Sequence, residues 1–317
     1  MRGYDIRGGR VYAKKSLAVG SRDSSRAGSP EPMLQGLSQL RAQLLQEDTA
    51  GPPDNVILSG MVGSKYGLFD VPHIELPVTR ELLREKITYA VDETVFHCRV
   101  GVIPGLRTSI PDARSSFESI AQIHNLRGEE TEALGVFRAM GNPAGSVVMI
   151  LPGSHTQVLF WENGIIVGIL SLITGELYNA VKNSTVLSSS ISESVCIDER
   201  GKEMAAEGYR LLQEYGYNRA LYVLHASNLF GGMSAQDRAC ALNGIIEGSA
   251  ADAIFARLDG MAPGRVAVAG GGKLCAVYEA VFSAAEARWG QQFTLEVLHA
   301  DAEMPFSVQG FLSLMGE

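Results

Sequence analysis

Residues 126–157 read L-R-G-E-E-T-E-A-L-G-V-F-R-A-M-G-N-P-A-G-S-V-V-M-I-L-P-G-S-H-T-Q, and the order of elements within them decides the fold. Arg127-Gly128-Glu129-Glu130-Thr131 puts two carboxylates at a helix start, where acids complement the helix dipole. Val147 to Leu151 is an apolar run of strand length. It empties into Pro152-Gly153-Ser154-His155-Thr156, a small hydroxyl-bearing turn able to hold an anion on backbone N–H groups. A helix followed by a buried strand is the alternation of a layered α/β sheet. A carboxylate ahead of a phosphate-holding turn points further, to phosphoryl transfer onto an alcohol.

The flanking sequence continues the alternation. Downstream, Gln157–Trp161 and Ile165–Ser171 flank Glu162-Asn163-Gly164, a hairpin through an Asn-Gly turn. A helix is expected from Thr174-Gly175-Glu176-Leu177 to about Asn183, a loop over the Ser-rich run 188–194, and helices at about 202–215, 218–229 and 235–257. Arg265 to Ala269 is a buried strand meeting Gly270-Gly271-Gly272, then a helix over 273–288, a strand over 295–299 and a closing helix over 304–315. Upstream, Tyr4 to Leu17 alternates about Gly8-Gly9 and reads as a hairpin, so that the chain begins in the middle of a sheet. Residues 18–32 are Ser-, Arg-, Gly- and Pro-rich and read as a solvated loop. Leucines at helical spacing predict a helix over 32–47, which Gly51-Pro52-Pro53 stops. Asn55 to Leu58 is a strand opening into Ser59-Gly60-Met61-Val62-Gly63-Ser64, the place where open α/β sheets put ligand contacts. Pro72–Pro77 is extended, Thr79–Ala90 a helix, and Val95–Ile103 a strand ending at Pro104-Gly105-Leu106. Between Arg107 and Asn125 only loop or short helix is expected.

Composition narrows the function. The chain has 317 residues, 46% hydrophobic and 20% charged, enough for two ordinary domains with cores of their own. The net charge of −8, from 27 Lys and Arg against 35 Asp and Glu, argues against a nucleic-acid partner, which needs a basic face. Cys98, Cys196, Cys240 and Cys275 form no C-x-x-C pair and read as buried thiols. The six histidines show no paired-ligand spacing, so no dedicated protein-built metal site is expected. No apolar run approaches membrane-spanning length and the start lacks a signal peptide's apolar middle region, so a cytoplasmic protein with no membrane partner is expected.

Each motif alone has an ordinary structural explanation. Gly270-Gly271-Gly272 offers N–H groups at a helix N-terminus, suited to a phosphate or to a base lying against backbone. It is equally a plain strand-to-helix turn. It is not a Walker A loop, because Ala267 stands at the upstream glycine position and Leu274 follows Lys273. It is not a dinucleotide fingerprint, because Cys275 stands at the third glycine. Paired acids in a first helical turn commonly serve only the dipole, and adjacent helical residues diverge by about 100°, so one glutamate can face a ligand while the other caps. No G-x-S-x-G occurs.

Five segments taken together carry a resemblance. Gly60-Met61-Val62-Gly63-Ser64, Ile103-Pro104-Gly105-Leu106, Arg127-Gly128-Glu129-Glu130-Thr131, Leu151-Pro152-Gly153-Ser154-His155 and Thr174-Gly175-Glu176-Leu177 stand in the order of the bacterial 2-dehydro-3-deoxygalactonokinase family, which the chain resembles. The resemblance implies an ATP-dependent kinase of 2-keto-3-deoxygalactonate or a related sugar acid. The implied fold is α/β, with two ribonuclease-H-like domains of the actin-like ATPase type about a cleft. Residues 1–143 would form a sugar-binding domain and 144–317 a nucleotide-binding domain, with the helix 304–315 expected to pack back on the first.

The resemblance also assigns roles. Gly128-Glu129-Glu130-Thr131 stands where related sugar kinases carry G-D-Q-Q, which puts Glu129 at the catalytic base with Glu130 beside it. Gly60, Met61, Val62, Gly63 and Ser64, with Arg127, would contact the sugar acid. Gly153, Ser154, His155 and Thr156 would hold phosphates, and Gly270, Gly271 and Gly272 the adenosine. ATP and Mg²⁺ are implied, the metal carried without a dedicated protein site. Relatives open with a strand and phosphate loop of the form D-W-G-T-S-N-L-R. Here Met1-Arg2-Gly3-Tyr4 falls where L-R-A-W would follow, so the first strand of the N-terminal domain is expected to be missing, and Gln157 stands where relatives often carry Lys. Two readings follow: a start internal to a longer kinase, or an impaired homologue that binds sugar acids or acts as a scaffold. An exposed sheet edge would favour a homodimer.

Overall fold

The computed structural model describes residues 1–46, 53, 55–111, 116–192, 194–258, 264–289 and 293–316. The expected stop at Gly51-Pro52 lies outside them. The fold is mixed α/β, in two compact units: Met1–Pro143 with Gly164–Ile169 and Asp301–Glu317, and Ala144–Asn163 with Leu170–Ala300.

The second unit is built on a five-stranded sheet. Its spatial order is Ile165–Leu172, Thr156–Glu162, Ser146–Leu151, Arg265–Gly270, Thr294–His299. Counted along the sheet's own strands this is 3-2-1-4-5, with strand 2 antiparallel to strand 1 and strands 1, 4 and 5 mutually parallel. That is the ribonuclease-H-like arrangement expected. Ser-Val-Val-Met-Ile-Leu lacks alternation because both faces of a parallel sheet are covered; Val147 to Leu151 are all buried. Val148, Ile150, Val158, Phe160, Val266 and Val268 pack with the helix Ala235–Leu258, which is buried nearly all round. The helices Thr174–Ser184, Glu199–Tyr215, Tyr217–Phe230 and Gly272–Trp289 complete the unit.

Among the described residues, the first unit holds three small sheets. Arg2–Arg7 and Arg10–Ser16 pair about Gly8-Gly9, both at positive φ, as the sequence predicts. They form a two-stranded sheet of their own rather than the middle of a larger one. Asn55–Leu58 and Cys98–Val102 run parallel, with Leu58 opposite Val102. The helix Glu31–Gln46 covers them through Met33 and Leu37.

Several expectations are corrected. The helix expected over Thr79–Ala90 stops at Glu85, and Thr88–Asp92 is a strand antiparallel to Cys98–Val102. Ile-Thr-Tyr-Ala-Val is β-branched and aromatic, and its pairing outweighs helix continuation; the Arg99 guanidinium lies 4.1 Å from the Tyr89 ring centre. Asp92 fixes the connection by accepting from the backbone N–H groups of Val95 at 2.9 Å and Phe96 at 2.6 Å. The solvated loop expected over 18–32 contains a helix, Ser21–Ala27, with no apolar stripe to announce it. Its ends are fixed locally: Asp23 accepts from Gly20 N at 2.9 Å, and Gly28 closes it in the left-handed region. Of the cysteines expected to be buried, Cys240 and Cys275 are; Cys98 is half-buried and Cys196 exposed.

Candidate functional site

In the first unit, the carboxyl ends of two parallel strands release the segments Ser59–Ser64 and Ile103–Gly105. Gly60 and Gly128 stand at φ of +91° and +112°, and a Cβ on Gly128 would lie 3.1 Å from Gly60 Cα. Glycine at both positions lets the Gly60 loop sit directly on the start of the helix Glu129–Ala139. Side chains pin the contact. Glu130 Oε1 accepts from Ser59 Oγ at 2.9 Å and Oε2 from Gly128 N at 2.6 Å, while Thr131 Oγ1 donates to Gly128 O at 2.8 Å.

The two glutamates therefore differ. Glu130 is fully buried with both carboxyl oxygens engaged, which takes it away from any ligand surface. Burial raises its pKa to about 7 against the pull of its hydrogen bonds. Glu129 is half-buried, and its Oε2 accepts from Arg127 N at 3.1 Å. A carboxyl whose pKa rises on folding favours the folded state at low pH, and that contribution is lost as pH climbs from about 4.5 through about 7. Glu130→Gln should remove a loss of about 3 kcal/mol across that window, because an amide can accept from Gly128 N and donate to Ser59. Urea midpoints at pH 4.5 and 8 for both proteins check this; equal pH dependence would refute it.

Arg127 reaches back over the loop. Its Nη2 donates to Val71 O at 2.7 Å and lies 3.2 Å from His73 Nδ1, while Nη1 is buried with no hydrogen-bond partner among the described residues. Gly63 makes room for it, since a Cβ there would fall 2.8 Å from Nη1. Burial first, then Arg127, lowers His73 to about 4. His73 is therefore neutral near pH 7, and its Nδ1 accepts from Arg127. Within the loop, Val62 points into the core, Met61 is exposed, and Ser64 Oγ donates to Met61 O at 2.7 Å.

In the second unit, the expected phosphate and adenosine segments follow neighbouring parallel strands, Ser146–Leu151 and Arg265–Gly270, in register at Ile150 and Val268. The two turns are thereby brought together: a Cβ on Gly270 would lie 3.7 Å from Pro152 O. Ser154 and His155 are exposed. The helix Thr174–Ser184 begins against the turn, with Gly175 facing Gly153 O and Glu176 N donating to Ser154 O at 3.0 Å. Open space surrounds Gly271, and a Cβ on Gly272 would come no nearer than 3.9 Å, to His299 Nδ1. Thr156 corrects the expected set. It is fully buried, with Oγ1 2.8 Å from Thr174 Oγ1, so its hydroxyl supports the turn from beneath rather than facing a ligand.

Sequence reasoning missed Ser59's bond to Glu130 and Thr174's contact with Thr156, and it gave no role to His73, Glu247 or Tyr278. Thr174 stands in a motif the sequence shows, but its partner, like the surroundings of the other three, is set only by folding. Among the described residues, no three His, Cys, Asp or Glu side chains form a group able to hold a metal, and no helix is long and apolar enough to cross a membrane.

Known proteins can now be set beside this geometry. A 2-dehydro-3-deoxygalactonokinase of Escherichia coli strain K12 is 26% identical over 200 residues, 61% of this chain and 59% of its own length. A Rhizobium meliloti protein named for the same activity is 24% identical over 197 residues, again 61% of this chain and 59% of its own. The matched segment thus spans about three fifths of these relatives. A crystal structure from Sinorhizobium meliloti, also named for 2-dehydro-3-deoxygalactonokinase, superposes with a TM-score of 0.73, covering 98% of this chain and 93% of that one at 22% identity, which establishes a shared fold. The model of the 2-keto-3-deoxy-galactonokinase family matches residues 1–299, and the chain belongs to that family.

Proposed function

We propose that the chain transfers the γ-phosphoryl group of ATP to the terminal hydroxyl of 2-keto-3-deoxygalactonate or a closely related sugar acid. The observation that carries this is the seating of Gly60 on Gly128. It places two half-buried groups, the Glu129 carboxylate and the Arg127 guanidinium, at one loop junction, inside a chain of this family. Arg127 supplies the charge that a sugar-acid carboxylate needs, and its Nη1 has no hydrogen-bond partner among the described residues. Neutral His73 orients the guanidinium without competing for the anion.

ATP is the second substrate. The exposed Gly153-Ser154-His155 turn fits its phosphates, and the open Gly270–Gly272 segment leaves room for the nucleoside against backbone. Mg²⁺ would arrive with the nucleotide and neutralise charge on its phosphates. As the hydroxyl oxygen bonds to the γ-phosphorus, the bond from that phosphorus to the bridging oxygen of ADP breaks and the hydroxyl proton passes to Glu129. Orientation matters more than base strength in such a loose transition state.

The test is direct. The chain with ATP·Mg²⁺ and 2-keto-3-deoxygalactonate should release one ADP per phosphorylated acid, slowly if the missing phosphate loop is needed for full turnover. Calorimetry showing that the acid binds while ATP does not would overturn the proposal in favour of a binding protein.

A further inference from the structure

Among the described residues of the helix Ala235–Leu258, Glu247 is the one buried carboxyl residue, 2% exposed. Leu242, Ile245, Ile246 and Ala251 of the same helix are all buried. A carboxyl in such surroundings is costly unless polar neighbours receive it. Oε2 has no hydrogen bond to any described residue, while the hydroxyls of Tyr278 and Thr174 interact with the carboxyl. These two side chains both lead to the same place. Thr174 Oγ1 lies 2.8 Å from Thr156 Oγ1, and the Tyr278 hydroxyl donates to Thr156 Oγ1 at 3.4 Å. Thr156 closes the Gly153 turn, Thr174 opens the helix packed against that turn, and Tyr278 lies on the helix that begins at Gly272.

Four side chains from four elements thus form a polar ring, with Thr156 closing one glycine turn and Tyr278 on the helix that follows the other. We propose that Glu247 is a positioning residue for nucleotide binding, fixing the Gly153–Thr156 and Gly270–Gly272 turns through Thr174, Thr156 and Tyr278. The proposal rests on the assignment of ATP to these turns. Burial pushes the Glu247 carboxyl up to about 7, with Tyr278 and Thr174 pulling it back, so below neutral pH it carries a proton that it can donate to the ring. An apolar residue would fill the volume but leave Thr174 and Tyr278 without that partner, whereas glutamine keeps both a donor and an acceptor.

The experiment compares Glu247→Gln, Glu247→Leu and Thr174→Val. Glu247→Leu should raise KM for ATP about tenfold while KM for the sugar acid changes less than about twofold, and Glu247→Gln should restore most of the ATP affinity. Amide hydrogen exchange in the unliganded proteins should speed up at residues 151–156 and 270–274 in Glu247→Leu, and remain slow in Glu247→Gln. If Glu247→Leu fails to fold, Thr174→Val reports the same two quantities, because it breaks the ring at its midpoint. Unchanged exchange and unchanged ATP affinity in the leucine or valine variant would overturn the proposal, as would a uniform rise in exchange across the unit. Should the unsubstituted chain show no ATP binding at all, the kinase reading fails, and the exchange measurements still decide whether Glu247 holds the two turns.

Discussion

Glu129→Gln is expected to lower kcat for sugar-acid phosphorylation by about 10²- to 10⁴-fold, the usual contribution of a positioned general base. The substitution keeps the side chain's length and an oxygen able to accept from Arg127 N, so the local fold persists. It removes the group that takes the hydroxyl proton in the transition state. An interaction made only there lowers kcat and kcat/KM together and leaves ground-state binding nearly intact. Steady-state kinetics with varied sugar acid would show this, and turnover within about tenfold of the unsubstituted chain would remove Glu129 from the mechanism. The contrast with Glu130 makes the test specific. Glu130→Gln retains a donor and an acceptor for Ser59 and Gly128 at a buried position, and its main consequence is on stability against pH.

Gly310→Ala should destabilise the first unit by about 3 kcal/mol or more, an unusually large effect for one methyl group. The helix Phe306–Met315 packs on the helix Glu129–Ala139 through paired glycines. A Cβ on Gly310 would fall 1.6 Å from Thr131 O, and one on Gly135 1.9 Å from Phe306 O. Alanine gains about 1 kcal/mol of intrinsic helix preference over glycine. Backbone overlap outweighs that gain, because no side chain can rotate away and the helices must separate. Thr131 belongs to the same turn as Glu129 and Glu130, so separation also moves the carboxylates. Denaturant unfolding should show a midpoint shift that is large against a total stability of about 5–15 kcal/mol, and the surviving folded fraction should have reduced kcat. An unchanged midpoint would mean that the helices tolerate a wider spacing.

How much of this was legible beforehand depended on the range of the interaction responsible. The strand Ser146–Leu151, the Asn-Gly hairpin and the long helix Ala235–Leu258 announce themselves through apolar runs and turn residues. The strand Thr88–Asp92 did not, because Leu82 and Leu83 continue a helical pattern into residues whose pairing partner, Cys98–Val102, comes later in the chain. The helix Ser21–Ala27 stayed hidden because its caps, not an apolar stripe, define it.

The site divides along the same line. The sequence by itself determined the five ordered segments, hence the family and the α/β class, because backbone-level demands for glycine, acid and turn residues are local and leave a readable pattern. Only the tertiary structure decided which groups within those segments face outward. Glu130 is buried on Ser59 while Glu129 remains half-exposed, Thr156 turns beneath its own turn, and Arg127 settles over Gly63 against His73. It also brought in Glu247, 91 residues beyond Thr156, whose neighbours are set by the packing of four elements. Burial and hydrogen-bond partners at such separations are properties of the assembled core, and no local pattern encodes them.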